Sequence, residues 1–503
     1  MDDQYPESIS RRVAKTMARF SQRAALEFEG EWTSWGALAD AAEKIEATLA
    51  AVGVPRQAPV GWLARNSPAA VAGFAALLIS GRPIAPLRSQ QPKAALCEEI
   101  RGQAFKAILG EPQDWATEGV ADAARQVGTV GVEVVGRRAF QARLWPGLEH
   151  LGPGPHRPDA SDLIVERVSS GTTGAPKRIP VGAEALSLAL RAAEVSASSR
   201  RSEAVPRIKS SPAVVVSPLG HASGVFALLF ALYQARPIVL LEKFTVEAWV
   251  DAVRRHRPRS ASLVPTMVRM VLESDTPAEA LSSLIAVHTG TASLDPEEQD
   301  RFETRFGVPI LIDYGAAEFI GGVAGWSLAD HRRFRHAKRG SAGRPRLDVR
   351  LRTVDPETGA VLSPGEIGLL ELRALRFGPS WIRTTDLASL DEDGFLYVHG
   401  RSDDAINRGG FKILPDEVAA VLRLHPAVGD AAIVGMPDTR LGHVPVALVE
   451  AHDRAVDAAE LERFAREWLA PYQVPVEFRF VETLPRTTTL KVNRPEVKAL
   501  FGI

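Results

Sequence analysis

Hydrophobic positions along the first ninety residues switch between two periods. Leu38, Ala42, Ile45 and Leu49 recur at helical spacing and Gly53 closes the run, so a helix is predicted there. Pro59-Val60-Gly61-Trp62-Leu63 is an apolar block of strand length. A second helix is predicted from Pro68 towards Ser80, Gly81-Arg82-Pro83 stops it, and Ile84 opens another strand. Strands alternating with helices from Glu27 to Leu87 predict a parallel sheet covered by helices. Residues 88–160 repeat the alternation less clearly, and Pro153-Gly-Pro-His-Arg-Pro158 reads as an exposed connector.

Further strands are predicted at Asp162 to Val168, Ala213 to Ser217, Ile285 to Thr289 and Pro309 to Asp313, with a helix from Val225 to Tyr233 and another after Leu263-Val264-Pro265-Thr266. From about residue 340 the pattern changes: strand follows strand through Pro364-Gly365 and Asp391-Glu-Asp-Gly394, which predicts a small antiparallel subdomain. Helices return at Pro415, where proline and two acids suit a first turn, and at Ala458, where Leu461, Phe464, Trp468 and Leu469 fall at core spacing as packing residues.

The 503-residue length exceeds one core and implies two to four domains. Lys and Arg number 60 against 61 Asp and Glu, so no global field favours nucleic acid or an anionic membrane, and any anion site must be local. Cys97 is the only cysteine, which excludes an intrachain disulfide and suits a reducing compartment. Met-Asp-Asp-Gln-Tyr-Pro carries no basic head or apolar run of a signal peptide, and the longest apolar stretch, Ala69 to Ile79, is too short to span a bilayer. A cytoplasmic location is expected.

The most conspicuous candidate chemistry is Ser169-Ser170-Gly171-Thr172-Thr173-Gly174-Ala175-Pro176-Lys177, directly after a predicted strand. Two glycines among four hydroxyl side chains let backbone N–H groups and hydroxyls converge on phosphate oxygens, and the lysine adds charge. No G-x-x-x-x-G-K-[ST] can be drawn through it, so it is a nucleotide phosphate loop of another kind.

This loop resembles the Ser/Thr/Gly-rich signature of the adenylate-forming superfamily, which comprises acyl- and aryl-CoA synthetases, peptide-synthetase adenylation domains and luciferases. Six segments from about Glu27 to Arg494 resemble that family in its order, closest to its acyl- and aryl-CoA ligases. Pro218-Leu219-Gly220-His221-Ala222-Ser223-Gly224 resembles the segment whose histidine borders the acyl pocket. Amino-acid-loading members place an aspartate at about Ala222, so the resemblance implies a simple carboxylic acid here. Gly290-Thr291-Ala292 is similar to the turn beside adenine. Asp313-Tyr314-Gly315-Ala316-Ala317-Glu318 resembles Tyr-Gly-x-Thr-Glu, which implies Tyr314 stacked on adenine and Glu318 holding Mg²⁺. Asp386 resembles the acceptor for both ribose hydroxyls, a task that suits two carboxylate oxygens. Gly400-Arg401-Ser402-Asp403-Asp404 to Ile413 resembles the domain junction, with Arg401 reaching ribose or phosphates, Asp403 at the hinge, and Gly409-Gly410 on the thiol side. Leu484-Pro485-Arg486-Thr487 to Arg494 puts Lys491 in the place of the catalytic lysine.

The resemblance therefore implies a large α/β domain of parallel-rich sheets and helices over residues 1–399, with an antiparallel β subdomain over about 340–399, a hinge at 400–404 and a small, mobile α+β domain over 405–503. It implies Lys491, Glu318, Thr172, Lys177 and His221 as catalytic residues. The ATP site would comprise the phosphate loop, Gly290 to Ala292, Asp313 to Ala316, Asp386, Arg401 and Lys491; the acyl pocket would be walled by His221, Gly224, Val225, Gly290, Gly315 and Ala316. ATP, Mg²⁺ and coenzyme A are the implied cofactors, and an AMP-forming acid:CoA ligase is the implied activity. A free-standing enzyme that loads a carrier protein's phosphopantetheine is the alternative, and a degenerate nucleotide-binding relative is another, motivated by Arg178, Ala317, Thr385 and Leu490, each of which departs from the family's residue. The acid, whether aryl, cinnamyl or fatty, and the oligomeric state, homodimer included, stay open.

Overall fold

The computed structural model describes residues 8–168, 178–197, 207–316, 319–409, 411–452 and 456–503. Among the described residues the strands form five sheets, and the first two are predominantly parallel. A seven-stranded sheet runs in the order Gln141–Leu144, Val130–Val135, Ala107–Gly110, Val60–Ala64, Ile84–Arg88, Leu163–Val168 and Arg178–Gly182. Its inner pairings are parallel and its two edge strands are antiparallel. A four-stranded sheet orders Ala213–Val215, Ile238–Leu240, Ala24–Phe28 and Glu31–Ser34. A five-stranded sheet starts with Ser260–Ser262, Ala286–Gly290 and Ile310–Tyr314 in parallel and ends in two short antiparallel strands.

The helix Pro68–Ile79 shows why these layers cohere. Ser67 caps it by accepting from Ala70 N at 3.2 Å, and Pro68 takes the first position, where no N–H is needed. Every residue from Pro68 to Leu78 is buried, so this is a helix that is apolar all round because other elements cover every side. Trp35 and Leu38 of the helix Trp35–Ala51, together with Trp62 and Phe74, belong to the same core. The apolar run that was too short for a bilayer is thus the centre of the large domain. Among the described residues no helix is long and apolar enough to cross a membrane.

Residues Val349–Val354, Gly368–Ala374, Ile382–Leu390 and Leu396–Arg401 form the expected antiparallel sheet. The last strand continues two residues past the expected boundary at 399, because Gly400 and Arg401 still pair with Leu387 and Asp386. Thr385 lies inside a continuous strand and carries no positive φ, so a β-branched residue fits there without strain.

The fifth sheet orders Phe411–Ile413, Ile406–Arg408, Gly442–Ala451 and Val428–Asp438, with Phe478–Val481 parallel to Gly442–Ala451. Helices Pro415–Arg423 and Ala458–Trp468 pack with it. Leu461 and Ala465 are buried, but Trp468, expected to be a packing residue, is 62% exposed. Ala465 and the C-cap Leu469 keep the final turn on the core, and Trp468 lies on its outer face.

Asn66 ties the layers together where their strands end. Its amide nitrogen donates to Leu241 O at 2.9 Å and Ser217 O at 3.3 Å, and its Oδ1 accepts from Leu219 N at 2.9 Å. An alanine would remove the partner of one buried and two part-buried backbone groups, at about 1–3 kcal/mol for each that water cannot reach. Asn66→Ala should therefore lower unfolding stability by about 3 kcal/mol in chemical denaturation. A loss below the few tenths typical of a surface change would mean that the neighbouring loops re-pair by themselves.

Candidate active site

The candidate site lies where the parallel strands of the large domain end, the usual place for ligands on such sheets. The phosphate loop residues Ser169, Ser170, Gly171, Thr172, Thr173, Gly174 and Lys177 lie outside the described residues, as do Ala317, Glu318 and Gly410. What frames the loop is described. Strand Leu163–Val168 leads in, and Arg178 begins the antiparallel strand that leads out. The Arg178 guanidinium bonds Glu99 at 2.6 Å, Glu166 at 2.9 Å and Pro86 O at 3.0 Å, and lies over the Phe105 ring. Arg178, which departs from the family's residue, is therefore built into the sheet at the start of the strand after the loop.

Pro218 to Gly220 turn the chain into a helix that starts at Ala222, three residues before the expected Val225, with His221 as its N-cap. The tightness of this turn explains Gly224: a Cβ there would sit 2.2 Å from Pro218 O. His221 Nε2 meets Thr488 Oγ1 of the small domain at 2.9 Å. Burial, then the positive charges of Arg88 and Lys491, push the imidazole down to about 4. It is neutral at physiological pH and available as a hydrogen-bonding wall.

Arg88 and Thr488 were not singled out from the sequence. Arg88 ends the strand Ile84–Arg88, and its buried Nε has no hydrogen-bond partner among the described residues. A cation at the carboxyl end of a parallel strand was the signal that could have found it.

On the nucleotide side, Tyr314 ends its strand and donates its hydroxyl to Asp386 Oδ2. Asp386 is cross-strand neighbour to Arg401, so the residues expected at adenine, ribose and phosphate are brought into one group. Arg401 is held by Asp403 in a two-pronged pair, Nε to Oδ1 at 2.8 Å and Nη2 to Oδ2 at 2.6 Å. That pair, against some desolvation, raises the guanidinium's pKa and lowers the carboxyl's. The expected phosphate residue and the expected hinge residue are therefore partners here.

Asp313 has both oxygens engaged, one by Arg346 and the other by His288 Nδ1 at 3.0 Å. Burial, then Arg346, pushes His288 down to about 4. Gly290 is required by close approach, since a Cβ would lie 2.5 Å from Asp313 O, and Thr291 beside it takes φ +72°. Gly315 and Ala316 continue past Tyr314, with Ala316 packed against the cluster of Phe319, Val323 and Leu372.

Lys491 reaches this region on a tight hairpin. Thr487 N donates to Lys491 O at 2.7 Å and Leu490 N to Thr487 O at 2.8 Å, a four-residue turn whose last residue takes φ +61°. Such turns favour glycine at that position, and a left-handed leucine costs about 1–2 kcal/mol. Leu490 offsets the strain by packing on the core that contains Leu263 and Met267, while its carbonyl accepts from Thr266 Oγ1 at 3.0 Å. Burial, then Arg401, lowers the Lys491 pKa. Lys491, Thr488 and His221 thus come together across the two domains. Gly409, at φ +60°, lies in the hairpin between Ile406–Arg408 and Phe411–Ile413.

The family of AMP-binding enzymes matches residues 13–374, and the AMP-binding enzyme C-terminal domain matches residues 417–491. The chain belongs to this family, the adenylate-forming enzymes that its sequence resembles. It is 31% identical to the 2-succinylbenzoate–CoA ligase of Bacillus subtilis over 300 residues, 57% of this chain and 60% of that protein's length. It is 28% identical to the indoleacetate–CoA ligase of Aromatoleum aromaticum over 505 residues, 95% of each. Among solved structures it resembles the amide bond synthetase McbA from Marinactinospora thermotolerans, with a TM-score of 0.80 and 25% identity over 98% of this chain and 100% of that one.

The His221 environment fixes a pH dependence. Below its usual 6.5 the unfolded chain takes up a proton that the folded ring refuses until about 4, so stability is unaffected above pH 6.5 and lost as pH falls towards 4. Nitrogen-15 NMR of the ring should show it neutral at pH 6, and Arg88→Met or Lys491→Ala should raise its midpoint. A wild-type midpoint near 6.5 would mean that the ring is not buried by the small domain.

Proposed function

We propose that the protein is an ATP-dependent carboxylic acid:CoA ligase, which forms an acyl-adenylate with release of pyrophosphate and then passes the acyl group to the CoA thiol. The observation that carries this reading is the delivery of Lys491 and Thr488 from the small domain to His221 of the large one. The CoA ligases to which the chain is similar support the choice of thiol.

A carboxylate is a poor acyl donor, and ATP turns its oxygen into a leaving group. The carboxylate oxygen bonds to the α-phosphorus as the bond from that phosphorus to the bridging oxygen breaks, and pyrophosphate leaves with the electron pair. Negative charge shifts onto phosphate oxygens in this step. An ammonium held in a partly dry site stabilises that charge far more than it would in water, and this is the role of Lys491. Neutral His221 borders the acyl group without adding charge. Asp386 accepts from the ribose hydroxyls, and ATP displaces the Tyr314 hydroxyl from it. Glu318, which lies outside the described residues, would hold Mg²⁺, and the ion would supply further positive charge for the phosphoryl transfer.

Lys491 fills space the thiol needs, so the small domain turns about the Ser402–Asp404 segment before the second step and brings the Gly409 side to the acyl-adenylate. The similarity to an amide bond synthetase makes an amine a second candidate acceptor, beside a carrier protein's phosphopantetheine.

Two measurements test the reading. Pyrophosphate release with Mg-ATP across aromatic, cinnamic and fatty acids, with CoA, holo carrier protein or a primary amine, should respond to one acid class and give acyl-CoA and AMP by mass spectrometry. Amide or carrier-bound product without acyl-CoA would replace the acceptor, and ATP binding without turnover of any acid would favour a degenerate relative. Lys491→Ala should reduce adenylate formation by at least about 10²-fold while sparing thioester formation from supplied acyl-adenylate. Equal loss of both half-reactions would refute the domain turn.

A further inference from the structure

Asp430 is the third residue of the strand Val428–Asp438 of the small domain and is 5% exposed. Its Oδ2 accepts from Arg486 Nη2 at 2.7 Å and lies 2.9 Å from Arg269 Nη1, while its Oδ1 accepts from Arg423 Nη1 at 3.4 Å. Arg269 belongs to the large domain, on the helix Pro265–Glu273, where Glu298 fixes its Nε at 2.5 Å. Arg486 is the foot of the Lys491 hairpin: it pairs with Val492 across the bridge that closes the turn, and its Nη1 reaches Thr266 Oγ1 of the large domain at 3.3 Å. One carboxylate oxygen therefore connects a fixed guanidinium of the large domain to the base of the loop that carries Lys491.

We propose that Asp430 is a positioning residue for adenylate formation, setting the place of Lys491 by gripping Arg269 and Arg486 with the same oxygen. The proposal rests on reading Lys491 as the adenylating lysine. A buried ion pair is a weak source of net stability but a strict one of register, because any other docking leaves a buried charge unpaired. The grip exists only in this domain arrangement. Turning the small domain separates Arg269 from Asp430, so the contact serves the first half-reaction and has no part in the second. Thr266 reinforces it at two atoms of the same hairpin, Leu490 O and the Arg486 guanidinium. Burial alone would raise the Asp430 carboxyl; the positive charges of Arg269, Arg423 and Arg486 outweigh it and hold the group ionised.

The test uses the full-length protein with Arg269→Met, Arg486→Met and the double variant. Each single change should lower the adenylation kcat by about 10²-fold, the scale of an ångström misplacement, with little change in the acid's KM. The double should fall no further than about threefold below the worse single, because both remove one linkage. Thioester formation from supplied acyl-adenylate should stay within about twofold, and Arg269→Lys should recover part of the first rate. Equal loss in both half-reactions, or multiplicative losses in the double variant, would overturn the proposal.

Hydrogen exchange by mass spectrometry separates this outcome from the function itself. Arg269→Met and Asp430→Asn should each speed exchange in residues 484–493, with the sheet of the small domain unchanged. If the wild type forms no adenylate with any acid, the ligase reading fails, and exchange alone decides the grip: unaltered exchange at 484–493 in Arg269→Met would overturn it. Should Asp430→Asn fail to fold, Arg269→Met, which leaves the small domain's own sequence intact, decides the matter by the same readout.

Discussion

The arrangement of the two domains depends on an ion pair across their seam, Arg269 to Asp430 at 2.9 Å. Around it gather Arg423 and Arg486 from the small domain and Glu298 from the large one, so neither charge is buried without partners. The foot of the hairpin that carries Lys491, Arg486, is held at this point. The Leu490 side chain sits on the core of the large domain next to it, Thr266 holds the Leu490 carbonyl, and Thr488 reaches the imidazole. Buried charges at Asp430 and the apolar contact of Leu490 meet at this seam, which gives a defined docking.

The positions at which this chain departs from its family's pattern look different once their surroundings are known. Arg178 is not an obstruction beneath the phosphate loop; two carboxylates, a carbonyl and an aromatic ring receive it. Thr385 lies in a strand, where β-branching is favourable. Leu490 does bear strain, and it exchanges the ease of a glycine for an apolar anchor in the other domain. Ala317 lies outside the described residues. The departures that are described are each matched by a local compensation.

The electrostatic character of the site follows from crowding of like charge as much as from pairing. Arg88 and Lys491 both act on His221, and Arg401 acts on Lys491, so positive charge is concentrated at the place proposed for the carboxylate and the triphosphate. Arg401 is itself restrained by Asp403, within the Ser402–Asp404 turn proposed as the hinge. The proposed nucleotide contacts and the link between domains thus share residues, and binding at one bears directly on the other.

Local chemistry was enough to read much of this from the chain. Helical spacing at Leu38 to Leu49, strand blocks at Val60 and Ile310, and the change to strand after strand near residue 340 are consequences of which side chains must be buried at what period, and each element formed close to where it was predicted. The resemblance carried the family because its motifs are contiguous residues. What depends on contacts between distant segments was not legible. That Trp468 is exposed and that Thr385 sits in a paired strand depends on what the rest of the chain packs beside them. Asn66, Asp430 and Arg269 have no local signature, since an asparagine, an aspartate or an arginine reads alike on a surface and in a seam. Only packing one domain against the other decides which charges are buried together, because desolvation is a property of the surroundings and not of the residue.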